Sequence, residues 1–166
     1  MRRTFPRRLL AVVALSAAAF ASLAAGEGSL PPQTGGADGI VGRWLNAKGV
    51  AIIEISAADG TYTGKVVWLK EPAYPADDPK GMAGQERVDR ENPDPALRTR
   101  PILGLVIMRG FVFDGENSWS KGRVYDPENG KEYRGRMTLT SPDTLSLRGY
   151  VGVSLFGRTE KWTRVR

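Results

Sequence analysis

The sequence predicts an all-β fold, a single antiparallel up-and-down barrel of about eight strands, from three observations. From residue 40 onward, short segments with alternating apolar residues are separated by turns that contain Gly, Asp or Pro. No segment there has an apolar period long enough for the helix of a βαβ unit. Short connections favour antiparallel pairing of sequential strands, and a sheet of this size removes its exposed edges by closing on itself.

The pattern of the region before the barrel indicates a leader followed by a linker. Residues 1–24 have a basic start, an Ala-rich apolar stretch and small residues before the expected cut, which is the pattern of a secretory signal peptide. The apolar stretch is short for a membrane span, so no transmembrane segment is expected after cleavage. Residues 25–39 predict a flexible N-terminus, and residues 40–166 the barrel domain. We therefore expect a periplasmic or secreted protein.

Turn chemistry sets the limits of the strands. The hairpin signals are clearest at residues 58–60 (ADG) and 126–130 (DPENG). In the long fourth strand, Gly104 or Gly110 is predicted to mark a bend. The predicted strands are residues 40–45, 50–56, 62–69, 102–113, 118–125, 132–140, 144–151 and 158–165.

Alternation along these strands assigns one set of side chains to the barrel interior. A barrel of eight strands is either packed solid or holds one small ligand. On the third strand, the predicted inward set is Tyr62, Gly64, Val66 and Trp68.

The first and last strands carry residues that suggest how the barrel is closed at one end. Gly42 and Trp44 form a Gly-x-Trp pattern on the first strand, and Arg164 lies on the last. This pattern resembles that of the calycins, the lipocalins and fatty-acid-binding proteins. The resemblance implies that Trp44 covers the floor of the barrel and that the Arg164 cation stacks on the indole ring.

Longer motifs resemble one bacterial family over nearly the whole chain after the leader. The stretches are VGRWL, GKVVWLKEP, NPDPALRTRPILGL, GRVYDPENGKEY and LRGYVGVSLFGRTEKWTRV. They are similar to the family called domain of unknown function 2147. The resemblance implies a small exported protein with a calycin-like barrel, and it implies no particular activity.

The composition excludes several kinds of chemistry. The chain has no cysteine and no histidine, which excludes disulfides, the common zinc, copper and haem ligand sets, and catalysis by a histidine base. We therefore expect no metal and no cofactor. The leader holds four of the 24 basic residues and none of the 18 acidic ones, so the remainder has a net charge of +2. Its charges are interspersed, and nucleic-acid binding is not expected.

A connection of about thirty residues separates the third and fourth predicted strands, and loops of that length are usually functional or disordered. Within it, Asp94 followed by Pro95 predicts the start of a short helical turn. Pro101 disfavours helix at the residue before it, so the turn is brief. Leu97 is predicted to point inward as an apolar anchor.

The arginines of this connection allow two interpretations. In the first, the segment is a structural lid whose arginines pair with Asp89, Glu91 or Asp94. In the second, Arg98 or Arg100 faces the mouth of the barrel and binds a carboxylate or phosphate group, because the planar guanidinium binds such groups in two places.

Aromatic residues near the same end are further candidates for ligand contact. Trp68, Tyr125 and Tyr133 are placed there by strand spacing, although aromatic residues at this spacing often belong to an ordinary core. Asp126 follows Tyr125 and is expected to cap its own turn.

The segment 152–157 (GVSLFG) carries three large apolar residues, Val153, Leu155 and Phe156. Such a loop either folds over the barrel end as a plug, the favoured interpretation, or forms an exposed contact patch.

Three classes of function remain, and binding of a small amphipathic or hydrophobic molecule in a barrel cavity is favoured. Binding needs only a cavity and a few placed polar groups. The alternatives are an enzyme that uses a buried carboxylate, with Glu54 and Asp126 as candidates, and an envelope interaction module that uses the 152–157 loop. A large cavity would favour binding, and a buried unpaired carboxylate would favour an enzyme. A solid barrel with an exposed 152–157 loop would favour the interaction module.

Overall fold

Residues 36–166 are the part of the chain that the computed structural model describes, and eight antiparallel strands dominate it. The expected leader and most of the linker lie outside these residues. Three short 3-10 helices also occur, at Ala37–Ile40, Pro95–Leu97 and Ser154–Phe156. The strands are β1 (Gly42–Leu45), β2 (Ala51–Ala58), β3 (Thr61–Leu69), β4 (Val106–Gly115), β5 (Ser118–Asp126), β6 (Lys131–Ser141), β7 (Thr144–Tyr150) and β8 (Gly157–Val165).

The sheet closes on itself because β1 pairs with β8 as well as with β2. Trp44 lies opposite Ile53 of β2 on one side and opposite Arg164 of β8 on the other. Every other strand pairs with its neighbours in the chain, so no strand edge is left open. The predicted eight-stranded up-and-down barrel is confirmed.

Two-residue turns join several of the strands. Asp59 and Gly60 connect β2 to β3 with φ values of 49° and 72°, and Glu116 and Asn117 connect β4 to β5 with 49° and 62°. Positive φ at both central positions is the geometry that matches the twist of a tight hairpin. In the segment 36–166, no helix is long and apolar enough to cross a membrane.

The barrel interior is packed solid at one end, which we call the closed half. The connections after β2, β4 and β6 lie at this end because the strands alternate in direction. The Phe111 ring lies over Gly122 and Gly135, and a Cβ on Gly122 would come within 2.2 Å of it. Fully buried side chains fill the rest of this half, among them Ile40, Trp44, Phe111, Trp119, Met137 and Leu145.

The inward placement predicted for Trp68 is wrong, because a β-bulge reverses the alternation before it. Ile53 lies opposite Val66, whereas the preceding Ile52 lies opposite Trp68, so Val67 is an extra residue in β3. Trp68 is therefore 41% exposed. Leu69 instead faces the interior of the barrel.

Strand β4 begins at Val106, four residues later than predicted. The Leu105 N–H donates to the Ile102 carbonyl at 3.1 Å, and Gly104 has a φ of 86°, so these residues form a turn rather than a strand. The predicted bend within the strand occurs at Gly110, whose φ is 69° and where the register with β3 shifts.

The predicted helical turn is present at Pro95–Leu97, and the Asp94 carboxylate accepts the Ala96 N–H at 3.0 Å. Leu97 is nevertheless 38% exposed, so its predicted role as an inward anchor is wrong. The buried apolar side chains of the connection are instead those of Tyr74, Ile102 and Leu105.

Candidate functional site

One end of the barrel is closed by the residues of the Gly-x-Trp pattern. The Arg164 guanidinium lies 4.2 Å from the centre of the Trp44 ring, and its Nη1 donates to the Val41 carbonyl at 3.0 Å. Gly42 has a φ of 121°, and a Cβ there would meet Arg164 at 3.2 Å, so this position requires glycine. Burial lowers the pKa of Arg164, which an arginine tolerates without losing its charge.

The 3-10 helix before β1 seals this end further. The Trp44 indole N–H donates to the Ile40 carbonyl at 2.8 Å, and the Trp119 indole N–H donates to the Ala37 carbonyl at 3.0 Å. The expected flexible segment 25–39 therefore ends in an ordered element at residues 37–39. The two hydrogen bonds hold the 3-10 helix against the tryptophans of the closed half.

The opposite end, which we call the open half, encloses a cavity of about 860 Å³. It lies between the barrel wall and the long connection from β3 to β4. Its volume is within the range of small-molecule sites, whose walls are predominantly apolar. The apolar wall includes Ile53, Val66, Leu69, Ile107, Leu147 and Trp162.

Charged groups at the mouth of the cavity are mostly paired with each other. Lys48 forms an ion pair with Glu128, and Arg87 with Glu71 at 3.1 Å. The Arg87 Nε is nevertheless buried and has no hydrogen-bond partner within the described residues. The mouth is thus polar, while its charges largely neutralise one another.

Strand β8 contributes two charged residues to the cavity wall, Arg158 and Glu160. The Glu160 carboxylate accepts the Trp162 indole N–H at 3.4 Å. Arg158 has no ion pair and no side-chain hydrogen bond to any residue in the segment 36–166. Sequence reasoning missed both residues, although the alternation that places Trp162 and Arg164 on one face of the strand also places residues 158 and 160 there.

Two of the predicted aromatic candidates, Tyr125 and Tyr133, line the cavity. The Tyr133 hydroxyl accepts a hydrogen bond from the Asn129 side chain at 3.3 Å. Tyr125 is buried, and its hydroxyl donates to Asp89 at 2.6 Å. Trp68 lies outside this group because of the bulge in β3.

Asp89 is a fully buried carboxylate at the centre of a hydrogen-bond network that ties the long connection to the barrel. Its Oδ1 accepts from Tyr125, and its Oδ2 accepts from the Asn92 amide at 2.7 Å and from Arg100 at 2.8 Å. Burial, together with the bond to Asp89, raises the pKa of Tyr125 to about 12. Asp89 is therefore a paired, structural carboxylate.

Both arginines predicted as candidate anion ligands are engaged with the connection itself. Arg100 binds the Asp89 carboxylate through Nε and Nη2. Arg98 is exposed, and its Nε donates to the Asn92 carbonyl at 2.8 Å. Neither lines the cavity, so the geometry favours the interpretation of the segment as a structural lid.

A second ion pair anchors the first part of the connection. Arg90 binds the buried Asp78 at 2.8 Å and stacks on the Tyr74 ring at 4.1 Å from its centre. Burial alone would raise the pKa of Asp78, but hydrogen bonds from Arg90 and from the backbone of Met82 and Lys80 outweigh it and hold this pKa below its usual value.

The two candidate catalytic carboxylates are placed for structural roles. Glu54 is on the exposed surface and pairs with Arg43 at 3.1 Å. Asp126 lines the cavity mouth, but it accepts the Glu128 N–H at 3.0 Å and so caps its own turn, as expected. Within residues 36–166, no cluster of acidic side chains is arranged to hold a metal ion.

Comparisons with known proteins agree with this geometry. No significant relative was found among curated proteins. Among solved structures, the chain is similar to protein HP1028 from the human pathogen Helicobacter pylori, described as a member of the lipocalin family. The two share 21% identity with a TM-score of 0.64 over 76% of this chain and 82% of that one, a likeness that shows the fold.

The sequence of the barrel also matches a bacterial family, as the motifs predict. The match covers residues 42–164, from the start of β1 to near the end of β8. The family is described as uncharacterized protein conserved in bacteria. The chain therefore belongs to the DUF2147 family, and its barrel is lipocalin-like.

Proposed function

We propose that this chain binds a small amphipathic molecule in the open half of its barrel. The observation that carries the proposal is the cavity of about 860 Å³, which has an apolar wall and two cations, Arg158 and Lys70, without a side-chain partner among the described residues. Small-molecule sites combine these two features: apolar area supplies affinity, and a few polar groups fix orientation. The apolar part of the guest packs against Val66, Leu147 and Trp162.

The polar end of the guest is an acidic group held by Arg158. A guanidinium binds carboxylate or phosphate through parallel hydrogen bonds, and such bonds are stronger than those between neutral groups. The neighbouring Glu160 already accepts the Trp162 indole N–H, and the rim cations Lys48 and Arg87 already have acidic partners. Lys70 also lines the cavity without an ion pair among the described residues, but it lies just beyond the end of β3, whereas Arg158 shares a strand face with the cavity-lining Trp162. Arg158 is therefore the cation best placed to select an acid.

Titration with cis-parinaric acid, a fluorescent fatty acid, tests this function. The variant Gly149→Phe fills the cavity, since a Cβ at Gly149 meets only Tyr133 carbons at 3.7 and 3.9 Å. Arg158→Gln removes the cation, and Lys161→Gln is the matched control on the exposed side of the same strand. A hydrogen bond to a charged group contributes about 1.5–3 kcal/mol, so Arg158→Gln is expected to weaken binding roughly tenfold or more.

The proposal requires a specific pattern among these variants. Gly149→Phe abolishes the fluorescence increase, Arg158→Gln shifts the curve to higher ligand concentration, and Lys161→Gln matches the unmodified chain. Undiminished binding by a folded Gly149→Phe variant would show that the ligand sits elsewhere. Equal affinities of Arg158→Gln and Lys161→Gln would remove Arg158 from the site.

We propose that the protein is exported and binds its ligand outside the cytoplasm. The support is the leader pattern of residues 1–24, with its basic start and Ala-rich apolar stretch. Expression of the full chain in a bacterium, followed by fractionation and N-terminal sequencing, tests it. The expected product begins at Ala25 in the periplasmic or secreted fraction, whereas an intact cytoplasmic chain would contradict it.

A further inference from the structure

The connection between β7 and β8 exposes Val153 and Leu155, so the favoured interpretation of these residues as a plug is wrong. The side chain of Phe156, the third residue of that interpretation, lies outside the described part of the structure. Val151, Val153 and Leu155 are 68%, 61% and 78% exposed. They are the three most exposed large apolar side chains of the described residues. We call these three residues the apolar tip. Exposed apolar patches on a monomer mark contact with another protein or a membrane.

The apolar tip is held in place by a basic residue. The Arg148 Nε donates to the Ser154 carbonyl at 2.8 Å, its Nη2 donates to the Leu155 carbonyl at 3.1 Å, and its Nη1 donates to the Thr159 hydroxyl at 2.8 Å. These bonds fix the backbone of the connection while leaving its apolar side chains outside. Specific hydrogen bonds thus hold the connection in a conformation in which the apolar tip is exposed.

Arg148 also joins the apolar tip to a group of arginines on the outer wall of the barrel. In the register of the sheet, Arg109 lies opposite Arg123, Arg123 lies opposite Arg134, and Arg136 lies opposite Arg148. We call these five residues the arginine face. Like charges directly opposite each other destabilise a sheet.

Few acidic groups balance the arginine face. Glu132 pairs with Arg109 and Arg123, and Asp114 pairs with Arg136 at 3.2 Å. Two carboxylates thus face five guanidinium groups. The side chains of Arg109, Arg123 and Arg136 are about half exposed, so they are available to an external anion. Such a local excess of one charge predicts a partner of the opposite charge.

We propose that the arginine face and the apolar tip together dock the protein on the surface of an anionic phospholipid bilayer. Arginines bind lipid phosphates while apolar side chains enter the boundary between head groups and acyl chains. Docking on a bilayer uses both the arginine face and the apolar tip, and the two are contiguous through Arg148. A nucleic acid would use the cations and leave the apolar tip exposed.

Docking in this way also orients the cavity. The connection from β7 to β8 lies at the same end as those after β1, β3 and β5, which supply Lys48, Tyr74 and Glu128 to the cavity wall. A protein docked by the apolar tip therefore holds the open half of its barrel near the lipid. The docking surface is separate from the cavity, so its test does not depend on the proposed ligand.

Co-sedimentation with phospholipid vesicles tests this inference. The vesicles contain phosphatidylglycerol and phosphatidylcholine, and vesicles of phosphatidylcholine alone are the comparison. Each basic residue near an anionic surface strengthens binding several-fold, so the double variant Arg134→Gln with Arg136→Gln is expected to weaken partitioning about tenfold or more. Leu155→Asp is expected to weaken it by a similar factor, because a charge replaces the most exposed apolar group.

Matched controls distinguish the docking surface from general charge and apolarity. Lys65→Gln removes an exposed cation from β3, and Val41→Asp adds a charge at an exposed apolar position next to the closed half. Both are expected to bind like the unmodified chain. Binding by all forms should fall as salt rises from 0.1 to 0.5 M, because the Debye screening length shortens from about 10 Å to about 4 Å.

Three outcomes would overturn the inference. One is no sedimentation with phosphatidylglycerol vesicles at low salt. Another is full binding by Leu155→Asp, which would leave electrostatic attraction without a role for the apolar tip. The third is binding of a DNA duplex as strongly as of the vesicles, again unaffected by Leu155→Asp, which would make a nucleic acid the partner of the arginine face.

Discussion

Replacing Gly122 by alanine should destabilise the barrel strongly, because the Phe111 ring occupies the space of the added methyl group. A Cβ at this position would lie 2.2 Å from Phe111 Cδ2, whereas packed carbon atoms lie about 3.5–4.0 Å apart. Phe111 is fully buried and also lies against Gly135, where a Cβ would come within 2.5 Å of the ring. The ring thus packs closely against the backbone of two neighbouring strands.

The expected cost of Gly122→Ala is at the upper end of that for overpacking a core, roughly 3 kcal/mol. Gly122 does not have a positive φ, so alanine brings no backbone strain and the cost comes from the ring alone. Gly149→Ala is the matched control, since a Cβ there makes only ordinary contacts and should change the free energy of unfolding by less than about 1 kcal/mol.

A double-mutant cycle with Phe111→Leu, measured by urea unfolding with tryptophan fluorescence, isolates the contact. The smaller side chain relieves the clash, so Gly122→Ala should cost at least about 2 kcal/mol less in that background. If the two substitutions were simply additive, Phe111 would not lie over Gly122, and the closed half would not be packed as described.

Further predictions concern the anchors of the long connection. Asp89→Asn removes the charge that accepts hydrogen bonds from Tyr125, Asn92 and Arg100 and should lower the free energy of unfolding by about 2–3 kcal/mol, measured by urea unfolding; a loss below about 1 kcal/mol would contradict the network. Tyr125 should be among the last tyrosines to ionise, near pH 12, when absorbance at 295 nm is followed on the folded protein. Because the pKa of Tyr125 in the folded protein is raised above 10, the contribution of its neutral hydroxyl to the free energy of unfolding is present below pH 10 and is lost as pH rises through about 12. Ionisation of this tyrosine near pH 10 in the folded state would refute this. The pKa of Asp78 is lowered instead, so its pairing with Arg90 stabilises the fold above its usual pKa of 3.8 and is lost on further acidification, a loss that Asp78→Asn should reduce.

The strands were predictable from local signals, and the errors arise where the chain departs from regular alternation. Turn residues such as Asp59-Gly60 act within a few positions, so they fix hairpins regardless of distant packing. The bulge at Val67 inserts one residue, and a shift of one residue sends every later side chain to the other face. No local pattern in the sequence marks that bulge, which is why Trp68 was placed inside the barrel.

The candidate site was less predictable, because it depends on which half of the barrel is filled. Phe111 fits only because glycines lie beneath it on two neighbouring strands, and that correspondence is a matter of register rather than of local sequence. The pairing of Arg100 with Asp89 was among the expected alternatives. Asp89, Glu91 and Asp94 are all close to it in the sequence, and only the folded connection shows which of them is its partner. Arg158 could have been found, since it shares its strand face with Trp162.

The most direct test of a hollow open half uses the position of Trp162, the one tryptophan that lines the cavity within the described residues. The measurement is quenching of tryptophan fluorescence by a fatty acid with a nitroxide on its chain. A guest inside the barrel predicts saturable quenching that disappears in both Trp162→Phe and Gly149→Phe. Equal quenching in a folded Gly149→Phe variant, or none in the unmodified chain, would contradict the binding of a guest in this cavity.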